Sequence, residues 1–199
     1  MARRATFIKN ERANNAGIVL VLDAGNALMG AWESSASRGR VTVDLMNRMG
    51  YDAMALGRMD FAVGLDALKQ RQAEAQFPML SANVAPTEGT EMPLEIQAYT
   101  IIERQGARIG IIGLSENEAT VIPGISDKMT VKDAVETASQ IVHVLRSKVD
   151  LLIVLSHLGL DKDKALAAAV PGIDIIVGGN TRKLMRKPEL VGYGVHYYV

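Results

Sequence analysis

Residues 51–64 read YDAMALGRMDFAVG. An apolar run, Ala53 to Leu56, is closed by Gly57 and followed at once by polar and charged side chains. A strand buried on both faces ends in a loop in this way. The same pattern recurs on either side. Ile18–Leu22 runs into Asp23-Ala24-Gly25-Asn26, Leu151–Leu155 into Ser156-His157-Leu158-Gly159, and Ile173–Val177 into Gly178-Gly179-Asn180-Thr181-Arg182. Further strands are expected at Met79–Ala82, Ile96–Ile102, Arg108–Leu114 and Val195–Val199. Ile96–Ile102, then Gln105-Gly106, then Arg108–Leu114 reads as a hairpin, which makes the sheet mixed rather than purely parallel.

Amphipathic stretches separate these runs. Val131–Lys148 carries one apolar stripe at helical spacing, with Thr130 as the expected N-cap and Asp133 three residues on. Lys162–Val170 is a shorter helix, capped by Asp161 and stopped by Pro171. Val41–Met49, Leu65–Gln76 and the opening segment Arg3–Ala13 are also expected to be helical, and Ala85–Pro93 is expected to be a surface loop. Alternating strands and helices argue for an α/β fold. With neither repeat nor linker, the 199 residues are expected to form one domain, 1–199. The chain opens on a helix with no strand before it and closes on an apolar strand. Each end would leave a sheet edge unpaired, to be covered by further strands of the native protein, a second copy or a partner chain.

Composition narrows the function classes. Lys plus Arg equals Asp plus Glu at 22 each, so no overall field draws the chain to nucleic acid or an anionic membrane. Five scattered tyrosines without a basic stripe offer no nucleic-acid platform. The absence of cysteine excludes disulfides and thiolate metal sites. Apolar runs such as Ile18–Leu22 are too short to span a bilayer. The N-terminal MARRATFIKNERANN has arginines but no apolar core of a signal peptide. The glycines of Gly106–Gly113 (GARIGIIG) fall within a strand, so they do not form a dinucleotide-binding turn.

Together the strand-end segments resemble the 5′-nucleotidase branch of the calcineurin-like metallophosphoesterases. Asp23-Ala24-Gly25 stands where the family motif Asp-Ala-Gly-Asp begins. Tyr51 to Gly57 leads into the position of Gly-Asn-His-Glu-Phe-Asp, and Ser156-His157-Leu158-Gly159 matches Ser-His-Leu-Gly. Phe77–Asn83 (FPMLSAN) and Ile109–Leu114 (IGIIGL) are also typical of the branch, and the likeness runs from about Ala2 to about Pro188. It implies a four-layer sandwich, with two mixed β-sheets flanked by helices. It implies hydrolysis of nucleotides and related phosphoesters, often in the periplasm or outside the cell. The chemistry would use two divalent ions (Mn, Zn, Mg or Ca) that share a bridging carboxylate and activate a water.

This sequence departs from the family at the ligands. The family's first strand, ending in Asp-x-His, has no counterpart in it. The bridging aspartate's position is Asn26, the metal-binding asparagine's is Arg58, and that of the histidine beside it is Met59. Asp60 follows at an acidic position that is not a direct ligand. The two histidines of the last motif fall at Asn180 and Arg182, and only His157 keeps a ligand's residue type. Two guanidiniums facing a dication at ~5 Å, with an effective dielectric of ~20, would each cost several kcal/mol. The expectation is therefore a degenerate, inactive site without a metal pair or other cofactor. Arg58 and Arg182, with Gly179 and Asn180, would grip phosphate or a nucleotide, since the guanidinium fork suits oxyanions.

Three rival readings stay open. The arginine stems fill vacated volume and their heads reach water, Asp23 or Asp60. The domain is an active hydrolase, with Asn26 and Asn180 as weak neutral ligands beside His157. The domain is a structural or interaction module that pairs through its sheet edges. His157 alone reads as a hydrogen-bonded strand-end residue or as a single-metal ligand. Gly178-Gly179 reads as a turn needing positive φ or as a close backbone approach to phosphate. His143 is expected in solvent, Trp32 in local packing, and His196 without a role.

Overall fold

The structure, a computed structural model, describes residues 1–181, 185 and 187–192, together with the backbone of residues 195–198. It opens with α1 (Ala2–Asn14), β1 (Leu22–Asp23), α2 (Trp32–Ala36), α3 (Arg40–Met49), β2 (Ala53–Ala55), α4 (Arg58–Phe61), α5 (Leu65–Glu74) and β3 (Met79–Leu80). There follow β4 (Val84–Pro86), β5 (Tyr99–Arg104), β6 (Ala107–Leu114), β7 (Met129–Val131) and α6 (Ala134–Leu145). Then come β8 (Leu151–Ser156), α7 (Leu160–Ala169), β9 (Ile175–Gly178), β10 (Glu189–Val191) and β11 (Val195–Tyr198).

Two sheets face each other. The smaller has the order β1-β2-β3 and the larger β10-β11-β9-β8-β6-β5, and a ribbon of β4 with β7 stands apart. The larger sheet is mixed, with β5 and β10 antiparallel to their neighbours. The smaller is parallel throughout, where a second mixed sheet was expected.

Between the sheets, Ala53, Ala55 and Leu80 meet Ile109, Ile111, Ile153 and Leu155. Small side chains bring the layers close. A Cβ on Gly113 of β6 would lie 2.4 Å from the Leu80 Cβ. Outside the larger sheet, Ala138, Val142 and Leu145 of α6 cover Ile112, Leu114, Leu152 and Val154. Outside the smaller one, Ile8 of α1, Val43 and Met46 of α3 and Leu68 of α5 pack with Met54 and Leu56. Helices, sheet, sheet and helices make four layers, as the resemblance implied.

Several boundaries differ from the sequence reading. Residues 84–86 form a strand rather than loop, because Val84, Ala85 and Pro86 pair with Val131, Thr130 and Met129. That ladder takes Thr130 out of the helix. The helix starts at Ala134, and its cap is Asp133, whose Oδ1 accepts the Glu136 N–H at 2.8 Å. Helix α7 begins at Leu160, behind Gly159 at φ 94°, so Asp161 lies in the first turn instead of capping it. The short elements α2, α4 and β10 have too few residues to show a period, and the sequence reading did not include them.

Candidate functional site

Strands β1, β2, β6, β8 and β9 run parallel within their sheets, so the segments leaving their C-terminal ends gather at one crevice, where open α/β sheets place their sites. His157 follows β8 and is buried. Its Nδ1 lies 2.5 Å from the Ala24 carbonyl after β1. A carbonyl only accepts, so Nδ1 donates. Glycine backbones clasp the ring. A Cβ on Gly57 would sit 2.6 Å from His157 Cδ2 and 2.4 Å from Asn26 Oδ1. A Cβ on Gly25, whose φ is +103°, would sit 2.8 Å from Nδ1.

Asp60 is fully buried and ties two loops together. Its Oδ2 accepts the N–H groups of Asn26 (2.7 Å) and Gly57 (2.9 Å), and its Oδ1 that of Leu28 (2.8 Å). Burial pushes its carboxyl up to about 7, against the three N–H donors, which lower it, and with Asp23, which raises it further. Burial likewise raises Asp23, whose Oδ1 accepts the Gly25 N–H at 3.0 Å. Asn26 has the left-handed φ of 62°. Its Oδ1 accepts the Met59 N–H at 2.8 Å and so secures the first turn of α4.

Sequence reasoning missed Glu116. It is buried, Oε1 accepts the Arg58 N–H at 2.9 Å, and the same atom lies 4.0 Å from His157 Nε2. Glu116 Oε2 and His157 Nε2 are buried without a hydrogen-bond partner among the described residues. Glu116 stands two residues past the end of β6. Asn26, Arg58 and His157 are singled out by their places in the family motifs; Glu116 matches none, and its position just past a strand end was the one signal that could have found it.

The anion-binding set is only partly brought together. Arg58 is exposed, and the bond recorded for its guanidinium is a long one of 3.5 Å to the Val121 carbonyl. Gly179 spends its N–H on the Ser156 carbonyl at 2.8 Å. It does not carry positive φ, which falls instead on exposed Asn180 at 72°. Gly179 is needed for close approach, because a Cβ there would lie 2.9 Å from the Ala24 carbonyl oxygen. Arg182 lies outside the described residues, as does the side chain of His196. His143 is exposed, as expected. Trp32, expected to pack locally, is 80% exposed.

Two divalent ions that share an acid need a bridging carboxylate and several further donors. Among the described residues no three His, Cys, Asp or Glu side chains converge. Beside the His157 imidazole stand the Glu116 carboxylate and the Asn26 amide oxygen already engaged by Met59, while the Asp60 oxygens are spent on three N–H groups. The described residues do not fit a metal pair.

Layer order and strand-end crevice define a metallophosphoesterase-type sandwich. No family model matches the chain. It is 37% identical over 189 residues to the snake venom 5′-nucleotidase of Gloydius brevicauda, covering 93% of this chain and 32% of that one. It superposes on the 5′-nucleotidase precursor of Thermus thermophilus with a TM-score of 0.89 and 30% identity, covering 98% of this chain and 41% of that one. The calcineurin-like phosphoesterase YfkN of Bacillus subtilis shares the fold, with a TM-score of 0.85, 24% identity, and 99% and 72% of the two chains covered. The chain belongs to the calcineurin-like metallophosphoesterase family, in its 5′-nucleotidase branch. It spans about a third of the length of the venom relative.

Proposed function

We propose that this domain recognises a nucleotide or phosphate monoester at its crevice and does not hydrolyse it. The observation that carries this reading is the hydrogen bond from the Met59 amide to Asn26 Oδ1 at 2.8 Å. A shared acid belongs at that position. Here a neutral amide holds a helix turn, and no other carboxylate among the described residues replaces it between two would-be ions. Relatives named 5′-nucleotidase support the nucleotide class of ligand. Arg58 supports the anion: its exposed guanidinium gives up only one long bond to a carbonyl when an oxyanion arrives. Asn180, exposed after β9, adds an amide donor, and Arg182 would complete the grip.

Thermal unfolding with AMP, inorganic phosphate and sulfate tests the reading. A ligand at 100 times its dissociation constant adds about 2.7 kcal/mol of stability. Arg58→Ala should abolish most of that gain. Unfolding temperatures unmoved by all three anions would contradict the reading.

A further inference from the structure

We propose that the indole of Trp32 is the platform on which the base of a bound nucleotide stacks. At 80% exposure, Trp32 is the most exposed large apolar side chain among the described residues. Tryptophan is highly buried on average, and an indole held in water on a fixed backbone is a preformed contact surface. The backbone beneath it is fixed. Ser34 Oγ and the Oγ1 of buried Thr42 lie 2.7 Å apart and join α2 to α3. The Ser35 N–H donates to the Ala31 carbonyl at 2.9 Å, and the Gly39 N–H to the Ser34 carbonyl at 2.8 Å. Gly39 rests on Leu28, since a Cβ there would lie 3.0 Å from the Leu28 Cβ. The turn that carries Trp32 therefore leaves Leu28 and returns to it.

Leu28 also ties that turn to the crevice. Its N–H donates to Asp60 Oδ1 at 2.8 Å, and Asp60 shares the single turn of α4 with Arg58. From Leu28 to Trp32 the chain reaches at most about 14 Å even when extended, and its return to Gly39 holds it shorter. A nucleotide with its phosphate on Arg58 bridges that span together with the two side chains. The residues beside the ring, Ala31, Glu33 and Ser34, are small or polar. A docking protein needs a broad apolar centre, whereas one flat ring among small and polar neighbours suits one flat heteroaromatic ligand. The inference rests on the anion-binding reading of the crevice and adds the class of ligand to it. A phosphate ester that carries a nucleobase is preferred over one that does not.

Trp32 is the single tryptophan of the chain, so intrinsic fluorescence reads the platform directly and needs no variant. The full chain is titrated with AMP, ribose 5-phosphate and inorganic phosphate, and calorimetry measures the binding of each in parallel. AMP should change the emission saturably, whereas ribose 5-phosphate and phosphate should bind and leave it unchanged. Trp32→Ala should weaken AMP binding about tenfold and ribose 5-phosphate binding far less, and Trp32→Phe should recover most of the AMP affinity. Circular dichroism checks the fold of both variants. AMP binding without a change in emission, or equal AMP affinity in Trp32→Ala, would overturn the platform and leave the anion reading standing. Emission that is blue-shifted without ligand and reddens on dilution would place the ring under a second copy and overturn the proposal likewise. Failure of all three phosphates to bind would overturn both readings.

Discussion

The Asp60 carboxylate holds the backbone of the crevice loops. Three N–H groups from two crevice loops end on its two oxygens. Its folded-state carboxyl, at about 7, lies above the ordinary 3.8. The folded chain therefore binds a proton that the unfolded chain releases. The stability this linkage contributes is fully present below pH 3.8 and is lost as pH rises through about 7. A carbon-13 titration of the Asp60 carboxyl should show a midpoint near 7, and a midpoint below 4 would refute the burial argument. Gly57 makes a second expectation. A methyl there meets Asn26 Oδ1 and the His157 ring, so Gly57→Ala should destabilise the chain by about 1–3 kcal/mol in urea unfolding. At this scale the sequence showed which residues reach the crevice, through their place at strand ends. It did not show side-chain direction. The backbone N–H of Arg58 donates to Glu116, a partner no motif announced, and its exposed guanidinium makes one long bond to the Val121 carbonyl. Glu116 went unseen because the residues after Leu114 match no ligand motif.

Helix α6 separates two caps that sequence could not tell apart. Thr130 and Asp133 both suit an N-terminus, but Thr130 pairs with Ala85 in a ladder and Asp133 accepts the Glu136 N–H. Asp133→Ala should cost about 1 kcal/mol, and Thr130→Ala, outside the helix, distinctly less, in paired denaturation curves. A larger loss at Thr130 would contradict this assignment. Long elements were legible because their periods are. Apolar residues at helical spacing marked α6, and continuous apolar runs marked β6 and β8. Short ones were not. Strand β4 has three residues and exists because β7 pairs with it. Helix α4 has four residues, held by Asp60 and Asn26 rather than by propensity.

At the level of the molecule, two sheets meet through alanine and glycine while helices cover their outer faces, and the parallel strands deliver their C-terminal ends to one crevice. That frame was legible from the apolar runs and the motif order, and likeness to relatives named 5′-nucleotidase agrees with it. The chemistry of the crevice is less legible, since it depends on where a few amide and carboxylate oxygens point. The central claim is that the frame binds an oxyanion at its strand ends without a hydrolytic metal pair. Phosphate release from AMP and from an aryl phosphate, measured on the full chain with Mn²⁺ or Zn²⁺ present, tests it most directly. Release should stay at the level of a protein-free blank. Sustained turnover accompanied by two bound ions per chain would contradict the account.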